Sequence, residues 1–130
     1  MKIESDNRVY YISGPMSGYE GYNYQYFEDV ATQLRKDGLE IVSPHEIPKP
    51  PPEIEGEQKI WEWYMEQCMI QMNLCTDIIL MKGWPESRGA TTELTEAVRR
   101  RFPVWYYVRP NNELILMSRS EIYDASYKQA

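Results

Sequence analysis

The sequence predicts an α/β domain built on a parallel sheet with helices on both faces. Strand-like and helix-like segments alternate in the order β-α-β-α-β-α-β. The inner run Asp77-Ile78-Ile79-Leu80-Met81 is almost wholly apolar, as a strand covered on both sides must be. Length agrees, since 130 residues suit one domain with a core of its own.

Val9-Tyr10-Tyr11-Ile12-Ser13 is a run of branched and aromatic residues that Gly14-Pro15 stops, hence the first strand. After a glycine-flanked loop and a tyrosine-rich stretch to Tyr22, the pattern turns helical at Asn23, a good N-cap. Phe27, Val30, Ala31 and Leu34 follow at i, i+3, i+4 and i+7, and Gly38 ends the helix. Leu39–Val42 is a second strand, ended by Ser43-Pro44. Residues 45–58 hold four of the nine prolines and several acids, and read as a long surface excursion of the kind used for lids and binding loops. A second helix is expected over Lys59–Leu74, with Trp61, Met65, Cys68 and Met72 on one stripe. Gly83-Trp84-Pro85 breaks the Asp77–Met81 strand. A third helix then carries Ala90, Leu94, Ala97 and Val98 on its buried face, before the strand Val104–Val108. The tail adds a short strand, Glu113–Met117, and a helix from about Ser118. In such sheets ligands bind beyond the C-terminal strand ends, near a switch in strand order. That rule singles out Gly14–Gly18, the proline excursion and Lys82–Gly89.

Composition narrows the function classes. A net charge of −6 argues against a nucleic-acid or anionic-membrane binder. No window approaches the ~20 apolar residues of a membrane span. The opening MKIESDNRVYY lacks the apolar stretch of a secretory leader, so a cytoplasmic protein is expected. Cys68 and Cys75 form no CxxC pair, and a lone His45 completes no metal quartet, so neither metal nor other cofactor is expected. The 11 Tyr and 4 Trp against 2 Phe suit half-buried positions, pockets or subunit contacts.

Three places can carry chemistry. The loop Ser13-Gly14-Pro15-Met16-Ser17-Gly18 joins strand to helix and can turn backbone N–H groups toward an anion, although a plain tight connection explains it equally. In Glu86-Ser87-Arg88-Gly89-Ala90 a hydroxyl and a cation meet at a helix start, which suits phosphate, carboxylate or sugar; the simpler alternative is that Ser87 caps the helix. With Ala90 at zero on a wheel of about 100° per residue, the apolar face centres near 20–30°. Glu93 falls near −60°, on the flank of that face, while Glu96 near −120° looks to solvent. A carboxylate so placed can reach a site at the sheet edge, where partial desolvation favours nucleophilic or basic use. Tyr11 could orient it, or be a core tyrosine; Asn23 could serve the site, or only cap. Arg99-Arg100-Arg101 reads as a solvated helix end.

These motifs in this order, Tyr11–Gly18, Asn23, Phe27, Gly83-Trp84, Ser87–Ala90 and Glu93, resemble the nucleoside 2-deoxyribosyltransferase-like superfamily, closest to a small bacterial and phage branch of largely unassigned function. The likeness covers about residues 9–108 of a single 1–130 domain, leaving 109–130 as a C-terminal extension. It implies a flavodoxin-like sheet. It also implies that Glu93 attacks the anomeric carbon of a 2-deoxynucleoside or its monophosphate and expels the base, and that water or a second base then resolves the glycosyl-enzyme. Tyr11 would hold the nucleophile. Ser13, Gly14, Pro15, Met16, Ser17, Gly18, Asn23, Trp84, Ser87, Arg88 and Gly89 would bind substrate. A homodimer or larger homo-oligomer is implied, with Trp61, Trp63, Tyr64 and Trp105-Tyr106-Tyr107 available for a subunit contact or for the core.

The chain departs from the family pattern twice. Relatives carry an Asp before the third strand that helps the base leave; here that position is Cys68, or Met69 with a shift of one. Losing a general acid costs on the order of 10²–10⁴ in rate. Relatives that hydrolyse monophosphates often have an Arg in the first loop, where Ser17 stands, leaving Arg88 as the candidate replacement. Two readings of function follow: an N-glycosidic-bond enzyme, and a nucleotide-binding or sequestering protein on the same fold with weak or no catalysis.

Overall fold

A computed structural model describes residues 7–128; most of the N-terminal stretch read for a leader lies outside them. The elements in chain order are β1 (Val9–Ser13), α1 (Tyr24–Lys36), β2 (Glu40–Val42), α2 (Glu57–Met72), β3 (Asp77–Leu80), α3 (Arg88–Arg99), β4 (Val104–Val108), β5 (Glu113–Leu116) and α4 (Arg119–Lys128). The sheet runs β2-β1-β3-β4-β5, the flavodoxin-like order. Its first four strands are parallel, and β5 pairs antiparallel with β4 through Trp105–Leu116 to Val108–Glu113. The turn-prone Pro110-Asn111-Asn112 stretch lets the chain double back, so the C-terminal segment closes one sheet edge. Among the described residues no helix is long and apolar enough to cross a membrane.

Period-two alternation divides the core. Tyr10, Ile12, Ile41, Ile79, Met81 and Tyr107 face α1, which buries Phe27, Val30, Ala31 and Leu34 against them. Tyr11, Ile78, Leu80 and Val104 face the opposite way, toward Cys68 and Met72 of α2 and Ala90, Leu94 and Ala97 of α3. The helices thus cover both faces, with the switch in strand order between β1 and β3.

Local details differ from the sequence reading. Asn23 occupies the cap position of α1 but is left-handed, at φ 62°, and its side chain makes no capping bond. Val98 is 48% exposed rather than buried, because the apolar stripe of α3 centres on Ala90, Leu94 and Ala97. Glu96 does not stand free in solvent: it pairs with Arg99 and, at 2.6 Å, with Arg100. Two of the three expected solvated arginines are therefore tied to their own helix. The proline excursion is pinned where it leaves β2, since Ile47 is buried and Glu46 accepts two hydrogen bonds from Arg35 at 2.8 and 2.9 Å. Phe27 is wholly buried against the sheet. Phe27→Ala should cost about 3–5 kcal/mol in urea unfolding, whereas a loss under 1 kcal/mol would show that this face is not close-packed.

Candidate active site

The alternation that divides the core also builds the site. Tyr11 and Ser13, two apart on β1, point to the α3 side at the switch point, with Ser13 opposite Leu80 of β3. Glu93, one turn into α3, comes down between them. The Tyr11 hydroxyl donates to Glu93 Oε2 at 2.6 Å, and the Ser13 hydroxyl donates to Oε1 at 2.6 Å. Both bonds are buried, and Glu93 is only 4% exposed. The wheel position on the flank of α3 is thus a buried one, because β1 crosses under that flank.

Burial pushes the Glu93 carboxyl above its ordinary range; the Ser13 and Tyr11 hydroxyls and the Cys68 thiol pull against that shift. Tyr11 is driven well above 10, first by burial and then by Glu93, so it remains a neutral donor. Burial and the Glu93 charge likewise keep the Cys68 thiol protonated. Among the described residues no cation pairs with Glu93; two hydroxyls and a thiol face it. Such a carboxylate is poorly solvated, fixed in orientation and close to neutral in its surroundings. It can attack an electrophilic carbon or stabilise a developing positive charge.

The flanking loops behave differently from one another. Asn23 Nδ2 donates to the Pro15 carbonyl at 2.9 Å, so its amide clamps the first loop instead of capping α1. Gly14 and Pro15 are buried, Gly14 against Met81 and Phe27. Met16 packs toward the α1-side core, away from Glu93, and Ser17 and Gly18 are exposed. Gly83 has φ +89°, and a Cβ there would lie 2.9 Å from the Tyr19 hydroxyl and 3.0 Å from Pro15, so only glycine lets the two loops meet. Trp84 is buried in the α2–α3 side of the core. Ser87 accepts from the Ala90 N–H at 3.1 Å and so does cap α3.

Arg88 turns away from the carboxylate. Its guanidinium lies 3.7 Å from the Trp61 ring centroid and donates to Gln58 at 3.1 Å, which ties α3 to the start of α2. Gly89 sits beneath this contact, near Met65 and Trp61. The Arg88–Trp61 stack joins residues far apart in the chain and has no sequence signature. Also unforeseen is Ser43 Oγ within 2.5 Å of His45 Nδ1 at the exit of β2, although the Ser-Pro-His stop was visible. A groove of about 600 Å³ between α2 and α3, lined by Trp61, Met65, Met69 and Thr92, runs past the site without Glu93 in its wall. Among the described residues no three His, Cys, Asp or Glu side chains gather as a metal-binding group.

Residues 8–106 match a family described as a domain of unknown function, DUF4406. The chain belongs to DUF4406. No curated protein matches it. The match spans β1 through most of β4, and so includes every group that touches Glu93 in this DUF4406 domain.

The raised Glu93 carboxyl has a consequence for stability. A carboxyl whose folded pKa exceeds its unfolded one contributes fully below the unfolded value, and that contribution is lost as pH rises through the folded one. Glu93→Gln should therefore melt higher than the parent near pH 8, the gap narrowing toward pH 4. A lower melting temperature for the variant at both pH values would contradict the shift. Tyr11→Phe strips Oε2 of its partner and should cost about 1–3 kcal/mol at neutral pH by chemical unfolding.

Proposed function

We propose that this DUF4406 protein cleaves or exchanges the N-glycosidic bond of a 2-deoxynucleoside or deoxynucleoside monophosphate, with Glu93 as nucleophile. The observation that carries the reading is the Glu93 carboxylate, buried at the switch point and held on both oxygens by Tyr11 and Ser13. Support also comes from the resemblance of the first-loop and Ser87–Glu93 motifs to nucleoside 2-deoxyribosyltransferase-like proteins.

In this reading a Glu93 oxygen forms a bond to C1′ as the C1′–N bond breaks. The bonding pair leaves with the base, which takes its proton from water. The transition state is oxocarbenium-like, and the carboxylate first stabilises it and then traps it. Water or a second base then attacks C1′ and releases Glu93. Tyr11 and Ser13 orient the nucleophile, and Ser87, Gly89 and the Gly14–Gly18 loop would hold the nucleotide. A second copy of the chain completing the site belongs to the same reading; exposed Ile70 on α2, Leu74 just after it and Val98 on α3 favour such a contact.

Two observations favour a second reading, a binding protein with little turnover. Cys68, a protonated thiol, stands where relatives have a carboxylic acid to help the base leave. Glu93 is 4% exposed and lines neither the α2–α3 groove nor the cavity at the ends of β3 and β4.

Incubation with a panel of deoxynucleosides and their monophosphates, read as free base by chromatography, separates the two. The enzyme reading expects base release that Glu93→Gln lowers by at least about 10³-fold. It also expects an acid limb in the rate profile above the ordinary carboxylate range, since Glu93 must be ionised and its carboxyl is raised. Ligand retained without turnover, and bound equally by Glu93→Gln, supports the second reading and removes the first.

A further inference from the structure

A second cavity lies at the C-terminal ends of β3 and β4, on the α1 side of the sheet, opposite the Glu93 face. It encloses about 640 Å³, within the range of pockets for small organic ligands, and its wall includes Tyr19, Asn23, Tyr26, Lys82, Tyr106 and Arg109.

The charge of this wall is unusual for the chain. The protein carries 14 Lys and Arg against 20 Asp and Glu, and several of its other arginines are held in ion pairs. Arg35 pairs with Glu46, Arg99 and Arg100 with Glu96, and Arg8 lies 3.7 Å from Asp77. Lys82 and Arg109 have no ion pair among the described residues, and no acidic side chain lines the cavity. Glu113, opposite Val108 in the β4–β5 ladder, is not in the wall.

The cations are also arranged. The Arg109 guanidinium lies 4.8 Å from the Tyr26 ring centroid, close enough for a cation–π contact that restrains it. Burial raises the Tyr26 hydroxyl despite the neighbouring Arg109, so it stays a neutral donor. Tyr19 and Tyr107 bring further aromatic residues to the wall. Two unpaired cations match a phosphomonoester, with a charge of about −1.5 to −2, better than a single carboxylate. The rings suit a flat body attached to it.

We propose that this cavity binds a small aromatic organophosphate, its phosphate held by Lys82 and Arg109 and its ring against the tyrosines. The site is separate from Glu93 and does not depend on the reaction proposed there. It shares Asn23, through the Pro15 carbonyl, with the back of the first loop.

The test uses the full chain with phenyl phosphate as probe, inorganic phosphate and phenol as controls, and backbone amide NMR to locate binding. Phenyl phosphate should bind saturably and at least about tenfold more tightly than inorganic phosphate, with shifts centred on Lys82, Gly83 and Arg109. Lys82→Ala and Arg109→Ala, both at exposed side chains, should keep the fold by circular dichroism and each weaken binding by about tenfold or more. Glu93→Gln should bind the probe as the parent does. The proposal is overturned if phenyl phosphate shows no saturable binding in the millimolar range. It is equally overturned if neither cation substitution weakens binding, if inorganic phosphate binds as tightly, or if the shifts centre on Ser87–Glu93.

Discussion

A carboxylate buried with no cation partner among the described residues is the constraint around which this domain is organised. Taking such a group out of water costs several kcal/mol even after the surroundings relax. Here the opposing contribution comes from two short hydroxyl donors, each worth roughly 1.5–3 kcal/mol when the acceptor is charged. Both come from β1, because residues two apart on a strand share a face. Their aim at Glu93 requires β1 to lie next to β3, with α3 returning across the sheet one turn after its Ser87 cap. Topology, cap and alternation converge on one pair of oxygen atoms.

Helix α3 sorts its two inner glutamates by surroundings. Glu93 meets β1 and loses water, so its carboxyl rises. Glu96, less than one turn further, meets Arg99 and Arg100, which hold its carboxyl down at about 2. The first group is therefore a poorly solvated acid, and the second is a fixed charge that fastens the helix end. A similar division separates the cations. Arg88 is spent on Trp61 and Gln58, binding α3 to α2, whereas Lys82 and Arg109 are left facing a cavity on the other side of the sheet.

Much of this was legible in the residues. The Phe27, Val30, Ala31, Leu34 spacing and the Ile78-Ile79-Leu80 run state helix and inner strand directly, and their burial follows. The wheel located Glu93 beside the apolar face, and the strand ending at Ser13 put Tyr11 near it. The sequence could not state which side chains meet across long separations. Ser13 grips the carboxylate, 80 positions away, although it reads as loop-edge substrate contact. Arg88 stacks on Trp61 although a cation at a helix start invites an anion. Asn23 has the composition of a cap but, in a left-handed conformation, its amide reaches back to Pro15. The antiparallel direction of β5 was likewise hidden, since a short apolar run carries no arrow.

Glu93 is a desolvated carboxylate restrained by Tyr11 and Ser13, a state that carbon-13 NMR of its side-chain carboxyl reads out during a pH titration. The midpoint should lie above the ordinary glutamate value of about 4.5, and Tyr11→Phe or Ser13→Ala should move it higher, because each hydroxyl favours the ionised form. A midpoint at or below that value, unmoved by either substitution, would contradict the account.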